Sequence, residues 1–333
     1  MCARCPRRQL RPKLLVIELW GLGDLAVATP FLRAAAEKFS VTLLAKPHAA
    51  ELQARFWPEV NLVAAEIPWT AFRDKYKLTE WPWRKLAALR RVLAAEKFDW
   101  AVSARHDPRD HFLMQAVGAD RRAGFPRLGS AMFLTDPLDL PRGSAHRYDF
   151  WRAAGGAMGL QLPARGQLLL PRPAGRKVMV HSGARLPARV WSLERYAEVV
   201  RRLRGQGYDV QVVCDPPQAD WWRGQGEAVV AAPKTLAELF AVIDTAGVFI
   251  GNCSGPGHLA AVSGVPTFTI FGPSMPGEFL PIHPAAEFVE DFSCEFRPCQ
   301  DYCHFDAPKC LLNISAEQVW PKVEGFVGRN LGR

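Results

Sequence analysis

The chain has no long apolar run, no internal repeat and no low-complexity segment. A membrane-spanning helix needs roughly 20 predominantly apolar residues, and no stretch approaches that length. The apolar run 14–19 is too short for a signal peptide, and the basic segment before it has no apolar core. We therefore expect a cytoplasmic protein of ordinary globular composition, with 333 residues, 49% of them hydrophobic and 23% charged.

Acidic residues are in the minority, and the formal net charge is +9. No nucleic-acid-binding motif accompanies this excess, so no nucleic-acid partner is predicted. The basic residues cluster in segments that read as helices and loops: Arg84, Lys85, Arg90 and Arg91; Arg121, Arg122 and Arg127; Arg201, Arg202 and Arg204. Each cluster fits a solvated helix face, whereas the excess as a whole favours an anionic partner, either a phosphorylated saccharide or an anionic membrane surface.

Apolar strand-like runs alternate with helical patterns, which predicts an α/β fold with parallel sheets and helices on both faces. The predicted strands are 14–19, 41–45, 61–64, 100–103, 178–181, 210–214, 248–250 and 267–271, and the predicted helices include 31–38, 83–97, 193–203, 236–245 and 257–263. Proline and glycine residues between 161 and 177 mark an interdomain linker. We expect two similar domains, 1–165 and 166–333, with a ligand in the cleft between them.

The most informative stretch is 251–261, GNCSGPGHLAA, which follows an apolar run and leads into a helix-forming segment. Its glycines and proline oppose continued strand or helix. In a glycine-rich turn between a strand and a helix, backbone N–H groups can approach an anion, and the helix dipole favours negative charge. The stretch therefore predicts a phosphate or diphosphate site.

A second corner, 14–30, has a Gly-x-Gly turn after a buried strand and brings Asp24 to the mouth of the sheet. Open α/β folds place their chemistry at this edge. The third glycine of a dinucleotide-binding fingerprint is missing, so a dinucleotide cofactor is not predicted. Asp24 fits either a site carboxylate or a helix N-cap, and Pro30 is predicted to begin the next helix.

A third corner opens the second half of the chain, where Ser182, Gly183, Arg185 and Arg189 converge ahead of a helix that begins near Ser192. Arginine suits phosphate oxygens because its planar fork is permanently charged. The two arginines fit either an anion site or a solvated loop.

Together the three corners resemble glycosyltransferase family 9, the ADP-heptose:lipopolysaccharide heptosyltransferases. The motifs are GDLxxxTP at 23–30, SGA followed by RxW at 182–191, and SGPxHLAA with GVP and FGP at 254–273. The resemblance implies a GT-B fold, in which two Rossmann-like domains face a central cleft and bind the acceptor and the nucleotide-sugar. It also implies a metal-independent, cofactor-free glycosyltransferase that moves heptose with inversion from ADP-heptose to the lipid-linked inner core of lipopolysaccharide, at the inner membrane face.

The resemblance also implies roles for single residues. Asp24 would be the general base that deprotonates the acceptor hydroxyl, and Arg189 would stabilise the diphosphate. Residues 234–239 would flank the adenine, and His258 would contact the donor or serve as a structural histidine at a helix start. The implied donor-binding residues are Ser182, Gly183, Arg185, Lys234, Thr235, Cys253, Ser254, Gly255, Pro256, Gly257 and His258.

Three positions depart from the family pattern. Cys253 stands where the family has an aspartate that is expected to contact donor hydroxyls, and Arg189 replaces a lysine with its charge kept. The loop 215–218 reads DPPQ instead of a glycine-rich turn with a glutamate, and Asp215 or Gln218 could bind ribose instead. Two alternatives therefore stay open: a same-fold transferase with another nucleotide-sugar donor, or a non-catalytic nucleotide-sugar-binding relative, against which Asp24 argues. A third alternative is a metal-cluster sensor built on this fold, which only the run of cysteines at 294–310 favours.

Eight cysteines are many for a cytoplasmic enzyme. Four of them form a cysteine-rich segment C-x4-C-x3-C-x6-C, namely Cys294, Cys299, Cys303 and Cys310. In a chain without an export signal, such close spacing fits a structural zinc or iron site better than disulfides. Reduced or partly paired cysteines are the alternative. Cys2 and Cys5 form a C-x2-C pair that could add ligands.

Overall fold

The computed structural model describes residues 11–71, 76–141, 145–171, 173–227, 229–300 and 302–332. These residues divide into two compact units. The first contains the residues up to Trp20, Ala28–Pro141 and Asp149–Leu162. The second contains Gly21–Val27, 145–148 and the residues from Pro163 onward. The short segment that carries Asp24 is therefore part of the second unit.

The elements alternate along the chain as an α/β protein requires. The elements up to the end of the first unit are β1 (Lys13–Ile17), α1 (Leu22–Lys38), β2 (Ser40–Ala45), α2 (Ala49–Phe56), β3 (Asn61–Ala64), α3 (Trp83–Ala95), β4 (Trp100–Val102), α4 (Pro108–Ala116), β5 (Arg121–Gly124), β6 (Asp136–Pro137) and α5 (Arg147–Ala157). The later elements are β7 (Lys177–His181), α6 (Leu193–Gly205), β8 (Val210–Val213), α7 (Ala219–Gly224), β9 (Val230–Ala231), α8 (Leu236–Ile243), β10 (Ala246–Asn252), α9 (Gly255–Val262), β11 (Thr267–Phe271), α10 (Pro276–Phe279), β12 (Glu287–Glu290), α11 (Lys309–Leu312) and α12 (Ala316–Leu331).

The sheet of the first unit is parallel throughout, with the strand order β3-β2-β1-β4-β5-β6. Its central strand β1 has four consecutive buried residues, so both faces of the sheet are covered. Counted in chain order, the strands follow the 3-2-1-4-5-6 pattern of doubly wound nucleotide-binding folds. The order reverses between β1 and β4, which makes this pair the switch point of the sheet.

The second unit repeats this plan in the order β12-β11-β10-β7-β8-β9, again with parallel pairing. Its switch point lies between β7 and β10. Large aromatic side chains from the flanking segments, Trp191, Tyr196 and Trp222, are fully buried against these strands. The predicted α/β fold is confirmed in both units.

Pro30 does not begin a helix, and that prediction was wrong. Helix α1 begins at Leu22 and continues through Pro30. A proline inside a helix removes one hydrogen bond and costs about 3 kcal/mol. The helix persists because apolar side chains on both sides of the proline, including Leu25 and Phe31, are fully buried.

All eight predicted strands correspond to strands of the structure. The sequence analysis missed β5, β6, β9 and β12, which are two to four residues long. Across the described ranges, no helix combines the length and the apolar character needed to cross a membrane.

Candidate functional site

The switch point of the second sheet brings two of the predicted corners together. His181 at the end of β7 pairs with Gly251 of β10, so the chain leaves the sheet at neighbouring positions, Ser182 and Cys253. Ligands of open α/β sheets bind outside the carboxyl ends of the strands at such a point. The predicted residues on both sides of this junction therefore lie at one edge of one sheet.

Asn252, which the sequence analysis missed, ties the two corners together. Its Oδ1 accepts hydrogen bonds from the N–H of Trp191 at 3.0 Å and the hydroxyl of Tyr196 at 2.9 Å. Its Nδ2 donates to the carbonyls of Ser182 at 2.9 Å and Gly183 at 3.2 Å. The side chain is buried and uses all of its hydrogen-bonding capacity. A polar residue at the end of a buried apolar strand was the signal in the sequence.

The glycine-rich corner has the predicted strand, turn and helix. Ser254 is the N-cap residue of α9 in an extended conformation, and its hydroxyl donates to the carbonyl of Asn252 at 3.3 Å. The hydroxyl makes no cap bond to the helix, so the first-turn N–H groups are not occupied by this side chain. A Cβ on Gly257 would lie 3.2 Å from the Phe249 ring, so glycine at this position avoids a tight contact. Pro256 occupies the first turn, where its missing N–H costs nothing.

The Asp24 segment packs against the start of α9 within the second unit. A Cβ on Gly23 would lie 2.9 Å from Cδ2 of His258, and a Cβ on Gly255 would lie 3.3 Å from Cβ of Leu22. Glycine at both positions therefore permits close approach. Asp24 lies in the first turn of α1, and its Oδ2 accepts a hydrogen bond from the nearby N–H of residue 21 at 3.1 Å. The carboxylate thus stabilises its own turn and also lies at the glycine-rich corner.

His258 is buried and electrically neutral near pH 7. Burial lowers its pKa to about 4; the charge of Asp24 opposes this shift and that of Arg189 adds to it. The three side chains are therefore close enough to interact electrostatically. Nδ1 of His258 is buried and has no hydrogen-bond partner within the described residues. Buried polar atoms are nearly always hydrogen-bonded, so this atom is suited to contact a ligand.

Residues without any motif in the sequence extend this charged group. The pKa of His146 is lowered to about 3, mainly by burial and also by Arg165, His258 and Arg147, while the hydrogen bond to Leu280 opposes the shift. Nε2 of His146 donates to the carbonyl of Leu280 at 2.7 Å, and its Nδ1 accepts a backbone N–H two residues later. These two bonds assign the neutral tautomer. His146 therefore adds no charge, whereas the two arginines do.

The charges of the group are unequal. Asp24 carries the negative charge, and Arg147, Arg165 and Arg189 carry three positive charges around two neutral imidazoles. Such a group attracts an anion with more than one charge, and guanidinium forks match phosphate oxygens. The arrangement can hold a diphosphate next to a carboxylate that can accept a proton.

Ser182 and Gly183 line the other side of the junction. The Ser182 hydroxyl donates to Oε1 of Gln218 at 3.0 Å and accepts from the indole of Trp222 at 2.9 Å. A Cβ on Gly183 would lie 2.5 Å from the carboxyl group of Asp215. The structure therefore places Asp215 and Gln218, the two candidates for ribose contacts, against this corner.

Cys253 occupies a buried position just after β10. Burial raises the pKa of its thiol to about 11, while Arg189, Ser274 and Arg297 act in the opposite direction. The thiol is therefore protonated at physiological pH. The position where the family has an acid is neutral in this chain.

Three other predicted donor-binding residues, Arg185, Lys234 and Thr235, are exposed to solvent. Arg185 is exposed in the loop after β7. Lys234 and Thr235 are exposed at the start of α8, where Glu238 accepts from the N–H of Lys234 and donates its own N–H to the Thr235 hydroxyl.

The predicted zinc or iron site in the cysteine-rich segment finds no support among the described residues. Its four thiols are free; Cys294 and Cys310 are buried, while Cys299 and Cys303 are half-buried. Burial raises the pKa of Cys299 and Cys310, and the neighbouring thiols raise it further. Over the described part of the chain, no three His, Cys, Asp or Glu side chains are arranged to hold a metal ion. Cys2 and Cys5 lie outside the described residues.

A family model, a curated relative and solved structures each match this chain. The model of glycosyltransferase family 9 (heptosyltransferase) matches residues 86–306. Lipopolysaccharide heptosyltransferase 3 of Escherichia coli K12 is 34% identical over 104 residues, which cover 28% of this chain and 30% of that protein. The match thus spans less than a third of the length of this curated relative.

Similar solved structures span nearly the whole chain. A glycosyltransferase of family 9 from Veillonella parvula DSM 2008 has a TM-score of 0.74 at 20% identity, with 96% of this chain and 99% of that chain covered. E. coli heptosyltransferase WaaC with ADP has a TM-score of 0.72 at 18% identity, with 94% and 99% covered. These likenesses show the GT-B fold. With the family model matching most of the chain, the protein belongs to glycosyltransferase family 9, the heptosyltransferase family.

Proposed function

We propose that the protein is an inverting, metal-independent glycosyltransferase that moves a heptose from ADP-heptose to the lipid-linked inner core of lipopolysaccharide. The observation that carries the proposal is the group of Asp24, His258 and Arg189 beside the start of α9. A carboxylate that accepts a proton and cations that hold a leaving diphosphate are what such a transfer needs. Family membership supports the activity, and the similarity to WaaC, whose structure holds ADP, supports the nucleotide.

Asp24 removes the proton from the acceptor hydroxyl, and the hydroxyl oxygen bonds to the anomeric carbon on the face opposite the diphosphate. The bond from the anomeric carbon to the diphosphate oxygen breaks, and its electron pair leaves with ADP. General-base assistance of this kind contributes about 10²–10⁴-fold.

Three features stabilise the charge that grows on the departing diphosphate. Arg189 supplies a permanent positive charge, the first-turn N–H groups of α9 supply aligned dipoles, and neutral His258 supplies an uncharged N–H donor. Arg147 and Arg165 raise the positive potential around them. Because these cations belong to the chain, the proposed reaction needs no divalent ion to neutralise the leaving group.

Donor specificity is affected by Cys253, because its side chain is a neutral thiol. A protonated thiol is only a weak hydrogen-bond partner for a sugar hydroxyl. This observation favours a second candidate function, transfer from another nucleotide-sugar by the same machinery. In either case we assign the ribose to Asp215 or Gln218 and the nucleotide base, adenine in ADP-heptose, to the segment 234–239.

We assign the acceptor to the N-terminal domain and the donor to the C-terminal domain. At the switch point of the first sheet, the guanidinium of Arg105 lies 3.8 Å from the buried carboxylate of Glu18 and 5.0 Å from the centre of the Trp20 ring. A guanidinium beside an aromatic ring suits a sugar that carries an anionic substituent. This chemistry fits an acidic or phosphorylated core sugar.

The first experiment is thermal unfolding of the protein with ADP-heptose, compared with UDP-, GDP- and CMP-sugars at matched concentrations. A ligand that binds only the native state stabilises it by about 2.7 kcal/mol at one hundred times its Kd. Selective stabilisation by ADP-heptose supports the donor assignment. Selective stabilisation by a different nucleotide-sugar supports the second candidate. No shift with any of them contradicts both.

The catalytic role of Asp24 is tested by Asp24→Asn in the same assay and in a transfer assay. The amide cannot accept the proton, so transfer should fall by about 10²–10⁴-fold while donor stabilisation persists. Asp220→Asn is the matched control, because that carboxylate is exposed and pairs with exposed Arg223. Transfer at the wild-type rate in Asp24→Asn would exclude the general-base role.

A further inference from the structure

Helix α3 and the turn before it expose an unusual number of apolar side chains. Tyr76 is 76% exposed, Leu78 55%, Trp83 54% and Val92 59%. In α3 itself only Leu93 is fully buried, so most of the helix surface faces away from the core. We call the exposed side chains of Tyr76, Leu78, Trp83, Arg84, Arg91 and Val92 the α3 surface.

The exposed indole of the α3 surface is held firmly by the core of the first unit. Trp83 donates its Nε1–H to the carbonyl of Leu78 at 2.9 Å, and its ring lies 5.3 Å from that of Trp81. The Trp81 ring lies 5.6 Å from buried Trp69, whose Nε1–H donates to Asp110 at 3.1 Å. A series of three indoles thus connects the surface to a buried carboxylate. The outermost ring is preorganised, so little conformational entropy is lost when it inserts into a partner.

The same surface is strongly basic. Residues 76–95 contain five basic side chains and one acidic side chain. The acidic residue, Glu80, lies 3.5 Å from Lys77 and is offset by it. Arg84 and Arg91, one heptad apart, lie on the side of the helix opposite Leu93 and are both exposed. The positive charge is therefore directed outward, next to the exposed indole and aliphatic groups.

We propose that the α3 surface docks the protein on an anionic lipid bilayer. Indole and tyrosine rings favour the interface between headgroups and acyl chains, aliphatic groups enter the acyl boundary, and arginine side chains pair with lipid phosphates. A partner bound only by electrostatic attraction, such as a nucleic acid, would not bury the exposed apolar side chains of Leu78 and Val92. The proposal rests on the proposed function only in that a lipid-linked acceptor brings the substrate to the same bilayer.

The test is co-sedimentation of the full chain with vesicles of phosphatidylcholine alone or mixed with phosphatidylglycerol. Each basic residue near an anionic surface contributes about 1 kcal/mol, or about fivefold, so Arg84→Gln/Arg91→Gln should lower the partition coefficient about 30-fold. Trp83→Ala should lower it further, including at high salt, where charge is screened. Arg201→Gln/Lys322→Gln is the control, since it removes the same charge from exposed positions of the second unit.

Three outcomes would overturn the proposal: no binding to the anionic vesicles, equal binding to both vesicle types, or an equal loss in the control. Stronger binding of the wild type to single-stranded RNA than to anionic vesicles would also overturn it. Thermal stabilisation by ADP-heptose, measured on the same variants, separates this proposal from the proposed function. Variants that keep this stabilisation but lose vesicle binding support the docking surface alone.

Discussion

Replacing Asn252 by alanine should be among the most damaging single changes in the second unit. The substitution leaves two buried donors, the Trp191 N–H and the Tyr196 hydroxyl, and two carbonyls, of Ser182 and Gly183, without their partner. A buried polar group that loses its hydrogen bond costs about 1–3 kcal/mol, and carbonyls with other partners cost less. We therefore expect Asn252→Ala to lower the free energy of unfolding by about 3–6 kcal/mol.

Urea unfolding followed by circular dichroism measures this loss, and Tyr196→Phe provides the scale. That variant removes one of the four bonds and should cost about 1 kcal/mol. Asn252→Asp has the same shape but directs a carboxylate oxygen at the carbonyls of Ser182 and Gly183, so it should be destabilised more at neutral than at acidic pH.

Function should follow stability in this series. Without Asn252 the corner at Ser182 and Gly183 is no longer tied to β10, so stabilisation by the donor should be lost even at temperatures where the variant is folded. If the free energy of unfolding of Asn252→Ala is within about 1 kcal/mol of the wild-type value, the four hydrogen bonds do not hold the two corners together and the reasoning is refuted.

Three other changes test separate parts of the structure. Gly23→Ala places a Cβ 2.9 Å from Cδ2 of His258, and should cut transfer about tenfold or more at an almost unchanged melting temperature; wild-type kinetics would contradict the close approach. Burial raises the pKa of Asp110 to about 7, so the native state holds its proton more tightly than the unfolded chain and loses stability as pH rises from about 4 to about 7. The wild type should therefore lose up to about 4 kcal/mol of unfolding free energy relative to Asp110→Asn between about pH 4 and pH 8, as measured by urea unfolding. A difference between the two proteins that does not change with pH would refute this. Arg297→Met leaves the carboxylate of Glu290 buried and should cost about 3–5 kcal/mol by the same assay, whereas a neutral effect would show that the pair contributes nothing.

The sequence predicted what depends on local chemistry. Long buried strands read as continuous β-branched and aliphatic runs, so β1, β7 and β10 could be located. Glycine and proline marked the turns that follow them, because their backbone freedom and constraint are intrinsic. The prediction that Pro30 begins a helix was wrong because it used only the local preference of proline. Burial of the apolar side chains around Pro30 overrides that preference.

The rest of the site depends on contacts between distant segments. Arg147 and Arg165 have no motif around them, and only the fold brings His146 and these arginines into one group with His258. The membership of Gly21–Val27 in the second unit is likewise invisible in a sequence that places it right after β1. No periodicity or spacing rule links residues more than a hundred positions apart.

Cys253 and Arg297 together show how the site tolerates the loss of an acid. Arg297 donates to the carbonyls of Gly272 and Ser274 and pairs with Glu290, so its charge is balanced by a residue away from the switch point. A carboxylate at position 253 would add a negative charge near Arg189 and Arg297, whereas the protonated thiol adds none. The group around His258 therefore keeps its full positive excess. That balance favours a ligand with the charge of a diphosphate over one with a single phosphate, and it leaves recognition of the sugar to residues other than Cys253.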